Sequence, residues 1–137
     1  MSFREKSAWI ALASYAAVFG GYFFVLWRGW DDRYSQGIGL LVAAVIALVI
    51  IAAALTIAAA ILNPKEANAP ADERETLIDL RAERLASYAL SVGVVCLIGA
   101  LLIGWSGVLV ANLLLAALVV AELVKAGAQI VLHRAGV

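Results

Sequence analysis

The sequence predicts an all-α integral membrane protein with four transmembrane helices, the third of them extended into the cytoplasm. Three observations carry this prediction. The chain of 137 residues is 65% hydrophobic and only 15% charged, whereas a soluble domain averages about 45–50% apolar and about 25% charged residues. A chain this short must cover most of its surface, and one soluble core cannot hide such an excess. Second, the apolar residues gather into four stretches, each near the length of about 20 residues that crosses a bilayer at about 1.5 Å per residue. Third, the basic residues fall almost entirely on one side of the layout those stretches imply. Lys plus Arg is 10 and Asp plus Glu is 10, a formal net charge of zero, which excludes a nucleic-acid binder built on a basic surface.

The first span reads from Ala8 to Trp27. Arg4 and Lys6 ahead of it fit a secretory leader. The apolar stretch is too long for one, however, carries Tyr15, Phe19, Tyr22, Phe23 and Phe24, and ends without a small-x-small site. It is expected to stay as an uncleaved span. The second, about Ile38 to Leu62, is an almost unbroken run of Val, Ala, Ile and Leu. The third runs from about Leu85 to Ile103. The fourth runs from about Val108 to Ala126, strongly apolar to Leu123, with a polar helical extension to His133. None alternates apolar and polar residues over about ten positions, as a strand of a membrane barrel does. Residues 1–137 are thus expected to form a single four-helix transmembrane domain, a bundle whose helices approach through stripes of small residues. Ser7, Ser14 and Gly21 recur at heptad spacing on the first span, overlapped by Ala13, Ala17 and Gly21; Gly39, Ala43 and Ala47 repeat the pattern on the second.

With four spans, both termini share a side with the link between spans two and three. That side holds Arg4, Lys6, Lys65, Arg74, Arg81, Arg84, Lys125 and Arg134; the other holds Arg28 and Arg33, offset by Asp31 and Asp32. Basic residues near span ends favour the cytoplasmic side, so both termini are expected there. Trp9 at the inner boundary, and Trp27, Trp30, Tyr34 and Trp105 at the outer one, suit interfacial belts. The outer loop from Arg28 to Tyr34 reads as an interfacial anchor with local salt bridges. Its two aspartates are too few for calcium, which takes about six or more oxygens. Ser106 and Gly107 leave almost no outer loop between spans three and four, which predicts a tight helical hairpin.

Between residues 63 and 84 the composition changes. Asn63-Pro64 ends the second span, because proline disfavours helix in the residue before it, and Pro70 marks a second break. Asp72 stands at an N-cap position with Glu75 three residues on, in the manner of a capping box. No breaker follows, so one helix is expected to run from there into the third span, projecting about two to three turns beyond the headgroups. At about 100° per residue, Asp72, Glu75, Asp79 and Glu83 fall near one stripe and Arg74, Arg81 and Arg84 on another. The neighbours Glu75/Asp79 and Asp79/Glu83 repel. Acidic residues in the first turn suit the helix dipole, but the rest of the stripe is favourable only if something basic faces it. Two readings stand. One is a headgroup-level helix whose arginines meet anionic lipid. The other is a docking surface, built from these seven charged residues, for a second copy or another protein.

The stretch Asp72-Glu73-Arg74, then Leu77-Ile78, then Arg81-Ala82-Glu83-Arg84 leading into Leu85-Ala86-Ser87-Tyr88, resembles a family of small bacterial four-span membrane proteins known only as a domain of unknown function. Members share an acidic-basic cytoplasmic segment ahead of the third span and are often encoded beside small helix-turn-helix regulators. The resemblance covers the overall layout and rests on the short stretch quoted. It implies a four-span fold and a regulatory setting; the expected location is the bacterial cytoplasmic (inner) membrane, as a multi-pass protein. No catalytic residue is assigned in that family, so none is carried over.

An ionisable residue inside a span is costly and marks a functional candidate. Glu122 lies about 22 Å along the fourth span, about 8 Å from the inner edge of a core about 30 Å thick. Lys125 is on the same side of the helix and can reach the interface; Gln129 and His133 extend that face. Glu122 reads either as a partner of Lys125, Arg81 or Arg84, or as a proton or cation site with a desolvated carboxylate. Asn112, Ser87, Tyr88 and Ser91 are polar groups able to bond between helices, worth about 0.6–2 kcal/mol each. Cys96 is the lone cysteine, which excludes an intrachain disulfide, and reads as a small buried residue. His133 is the lone histidine, which excludes a bis-histidine haem from one chain.

No triad, phosphate loop or pair of intramembrane carboxylates is present in the sequence. The expectation is therefore a non-enzymatic membrane interaction protein without a cofactor or metal. It would be an accessory subunit, or a membrane tether or sensor, acting through its charged cytoplasmic helix. Its partners would be the lipid bilayer and, by homo-oligomerisation or otherwise, another membrane or cytoplasmic protein, with no direct nucleic-acid contact. The alternative is a small proton- or cation-coupled transporter or channel working as an oligomer. Small multidrug exporters, which use a membrane-embedded glutamate in their first span, are a poor match, since this first span has no carboxylate between Glu5 and Asp31.

Overall fold

The structure, a computed structural model, describes residues 3–28, 37–70 and 72–136. Its helices are α1 (Phe3–Arg28), α2 (Gly37–Leu62), the short α3 (Pro64–Ala67), α4 (Glu73–Leu102) and α5 (Gly107–Ala135), with no strand among the described residues. The four long helices are each long and apolar enough to cross a membrane. Trp30, Asp31, Asp32, Arg33 and Tyr34 of the expected outer anchor lie outside the described residues. The chain divides into two compact units, Met1–Ala69 and Pro70–Val137.

In the first unit α1 packs beside α2. Helix is the natural answer to such apolar sequence, because in hydrocarbon each backbone N–H and C=O must be satisfied within the segment. α1 begins ahead of the expected span, with Glu5 in its first turn and Arg28 in its last, both suited to the helix dipole. Arg28 also stacks over the Phe24 ring, 4.9 Å from its centroid. Ala8, Ser14, Phe19 and Tyr22 are the buried residues of α1; on α2, Ala44 and Leu48 are buried among the described residues. Phe19 stacks on Tyr15 with centroids 6.3 Å apart and meets Tyr22 edge-on at 6.4 Å. The hairpin therefore packs through the aromatic side of α1, and Ala13, Ala17 and Gly21 are left exposed within this unit. Large rings make more van der Waals contact with a neighbouring helix than an alanine face does, and such packing is what draws helices together in lipid. α2 ends at Asn63, whose N–H donates to the Ala59 carbonyl at 3.1 Å. Pro64 opens α3 at the one helical position where a missing N–H is harmless.

The second unit is a hairpin of α4 and α5, and both of its ends are built by short polar devices. Asp72 caps α4: its side chain accepts from the Glu73 N–H at 2.8 Å, and its carbonyl accepts from both the N–H and the hydroxyl of Thr76. At the far end Gly104 takes φ +101°, a conformation that suits glycine alone. That residue lets the Gly104 N–H donate to the Leu101 carbonyl and the Trp105 N–H to the Ala100 carbonyl, the two bonds of a Schellman ending. Ser106 then caps α5, its hydroxyl accepting from the Leu109 N–H at 3.3 Å. The turn between the helices thus occupies only Ile103 to Ser106, in agreement with the tight hairpin expected from the sequence.

α4 has 30 residues and α5 has 29, about 45 Å each against a hydrocarbon core of about 30 Å. The apolar runs adjoin the turn, so the polar excess of both helices, residues 73–84 and about 127–135, lies at the Asp72/Ala135 end. Their contact is lined by small side chains. Ala82 is 0% exposed, and Ile78 and Ala86 flank it on α4 opposite Ala121, Ala126 and Ile130 among the buried residues of α5. Further along, a Cβ added at Gly93 would stand 3.0 Å from the Ala117 Cβ. Cys96 corrects an expectation, being exposed rather than buried. α4 is covered by α5 along one face only, and Cys96 lies off that face.

Replacing Gly93 with leucine is expected to force the helices apart and lower resistance to unfolding by about 1–3 kcal/mol. The same change at Gly99, where an added Cβ meets nothing within 4 Å, should have little effect. Unfolding of the purified protein in mixed micelles of increasing dodecyl sulfate measures both. Equal stability of the two variants would show that the hairpin does not depend on this close approach.

Candidate functional site

Beyond the apolar runs, at the Asp72/Ala135 end, polar side chains of α4 and α5 meet in register. Asp79 Oδ1 accepts from Gln129 Nε2 at 2.9 Å in a part-buried setting. Lys125 Nζ stands 3.9 Å from Glu83 Oε1. Arg74 Nη2 donates to the His133 carbonyl at 3.5 Å. The α5 partners recur at every fourth residue; Glu83 and Asp79 keep pace with them on one face of α4, and Arg74, five residues beyond Asp79 and on the neighbouring side of the helix, reaches round to the third level.

This ladder gives the acidic stripe its counterpart. Asp79 and Glu83 repel each other along α4, but one receives an amide donor and the other a cation from α5. The Lys125–Glu83 pair has side chains 33% and 68% exposed, so solvent screens it and it is worth at most about 1 kcal/mol. The Asp79–Gln129 bond is better shielded and joins an ionisable acceptor to an amide donor, a stronger class of contact. Helix dipoles add to the match. Glu73 and Glu75 occupy the first turn of α4, and His133 and Arg134 the last turn of α5, each complementing its own helix end.

Of the charged residues singled out in the sequence, Arg74, Asp79, Glu83 and Lys125 are thus brought together. Asp72 serves as the cap, and Glu75 is half-buried. Arg81 and Arg84 are exposed on the opposite face of α4, and neither has a hydrogen-bond or ion-pair partner among the described residues. Leu77 and Leu80 share that outward side, 54% and 60% exposed. Glu122 is half-buried and forms no hydrogen bond or ion pair among the described residues. The Lys125 ammonium, three residues away, reaches across to Glu83, which holds it toward the polar end of the hairpin rather than deeper along the apolar run. Asn112 lies far along α5 and donates to the Val108 carbonyl of its own helix at 2.9 Å. Ser91 likewise donates to the Ser87 carbonyl at 2.8 Å.

Gln129 and the His133 carbonyl are the members that residue chemistry alone did not assign to the site. Their signal was the spacing of Lys125, Gln129 and His133, read together with a turn short enough to fix which α4 residue each one faces. His133 Nε2 is buried without a hydrogen-bond partner among the described residues. Among the described residues, no group of three or more His, Cys, Asp and Glu side chains could hold a metal ion. Comparison with protein-family models, with curated proteins and with solved structures finds no match to this chain.

Two double-mutant cycles weigh the ladder. Asp79→Ala with Gln129→Ala should give a coupling of about 1.5 kcal/mol. Glu83→Lys should destabilise by at most about 1 kcal/mol and be offset when Lys125→Glu is added. Purely additive changes in both cycles would remove the ladder as a source of stability.

Proposed function

We propose that the chain is a non-enzymatic interaction protein of the bacterial inner membrane, an accessory subunit or a membrane tether, which offers the polar arm of α4 and α5 to a partner. In this reading both termini lie in the cytoplasm. The arm supports that orientation, since Arg74, Arg81, Arg84, Lys125 and Arg134 all belong to the end where the two helices outrun the bilayer. The observation that carries the docking reading is the outward exposure of Leu77 and Leu80 on a segment beyond the apolar run. Two large apolar side chains one turn apart, held on a helix stiffened from behind by the ladder, form the anchor pattern of a helix-mediated contact. A second copy, another membrane protein or a cytoplasmic regulator, the setting that the family resemblance implies, could each occupy it.

Gentle extraction from the native membrane, followed by identification of stoichiometric co-migrating proteins, tests the proposal. The parent chain is expected to retain a second protein or a second copy. Leu77→Ser with Leu80→Ser should release it while leaving the amount of inserted protein unchanged. A monomer free of other proteins in both samples would overturn the docking reading.

One observation favours a second reading, a proton- or cation-coupled transporter or channel: Glu122 is a half-buried carboxylate within α5 and unpaired among the described residues. A carboxylate so placed could exchange a cation during transport. Ion flux into vesicles holding the purified protein, abolished by Glu122→Gln, would establish that role. Identical flux in parent and variant would remove it.

A further inference from the structure

We infer that Arg81 and Arg84 form a binding site for the phosphate of an anionic phospholipid, in the leaflet at the Asp72 end of α4. The inference rests on α4 being a span and is independent of the partner proposed for Leu77 and Leu80. Depth is its first support. The apolar run begins at Leu85, so Arg84 and Arg81 stand about 1.5 Å and about 6 Å beyond it along the helix axis. That range falls within the headgroup layer, about 5–8 Å deep on each side of the hydrocarbon.

Continuity of the face is the second. Leu77, Arg81, Arg84, Tyr88, Val92 and Val95 follow one another at steps of three or four residues and are all exposed, turned away from α5. The stripe that offers valines at hydrocarbon depth therefore reaches a tyrosine near the boundary, where such rings settle, and then two guanidinium groups at phosphate depth.

The third is charge. The ladder engages Asp79 and Glu83 on the far side of the helix, and neither Arg81 nor Arg84 has a partner among the described residues. A guanidinium is a planar fork of donors that matches a phosphate in two parallel bonds. Its carbon stem can lie along Leu77, Leu80 and Leu85 while the head reaches the interface. An acidic protein segment offers the same sign of charge. It could meet Arg84 only by displacing lipid at the edge of the hydrocarbon, so depth decides for the lipid.

The test uses the full chain in phosphatidylcholine vesicles containing a trace of either spin-labelled phosphatidylglycerol or spin-labelled phosphatidylcholine. The parent is expected to immobilise phosphatidylglycerol preferentially. Arg81→Gln and Arg84→Gln should each reduce that preference about five-fold at most, the factor expected for one basic residue at an anionic surface. The pair Arg81→Lys with Arg84→Lys, which keeps both charges, should retain more of it than the glutamine pair. Preference unchanged in the double glutamine variant would overturn the site. So would loss of an acidic co-purifying protein from that variant with lipid preference intact, which would give the face to a protein. No immobilised lipid of either kind in the parent would overturn the span reading and the site with it.

Discussion

A helix surrounded by lipid gains nothing by hiding a leucine, because hydrocarbon outside it is as apolar as hydrocarbon inside a neighbour. Pairing of α4 with α5 must come from contacts that lipid cannot supply, and those require the backbones to come close. Ala82, Ala86, Ala121 and Ala126 among the buried residues, and Gly93 set against Ala117, permit that approach. Once the two backbones are held at this distance, side chains as short as aspartate and glutamine can bridge them. The bond from Gln129 to Asp79 is thus a consequence of alanines one turn away. The turn at Gly104 and Ser106 adds the other requirement, a fixed register.

The same close contact turns a liability of the sequence into a structural asset. Carboxylates four residues apart weaken a helix on its own, yet at Asp79 and Glu83 they face an amide and an ammonium from α5. With its acidic side committed to its own hairpin, α4 presents the opposite side: Leu77, Leu80, Arg81 and Arg84. The side of α4 left exposed is therefore apolar and basic, where the sequence alone left both the acidic and the basic stripe open. Glu122 falls just outside this arrangement, too deep along α5 for the ladder and half-buried without a partner among the described residues.

Much of the fold was legible because its determinants are local. Four apolar stretches of the right length, the Asn63-Pro64 break, the cap at Asp72 and the short link near Ser106 are all read from neighbours in sequence. What could not be read was which face of each helix would be covered. α2 is apolar all round, so no period marks its inner side, and on α1 the rings of Phe19 and Tyr22 were preferred to the alanine stripe. Cys96 was misread for the same reason, since an apolar run does not say which residues look outward. In the candidate site, the three-residue spacing of Glu122 and Lys125 suggested a pair, but the hairpin offered Lys125 a partner nearer the polar end. The acidic stripe was visible; its counterpart depended on register, which only a folded hairpin defines.

The hairpin sets the acidic side of α4 against α5 and leaves its leucine–arginine side uncovered, on a segment proposed to continue past the membrane. Single cysteines placed in turn at positions 74 to 92, in a Cys96→Ser background, with a membrane-impermeant maleimide added to reconstituted vesicles, test it most directly. Labelling is expected to repeat with the helix, strong at 77, 81 and 84, weak at 78, 82 and 86, and fading beyond 85 on every face. Equal labelling of 78 and 82 with 77 and 81 would contradict it, because no hairpin would then be covering the inner side.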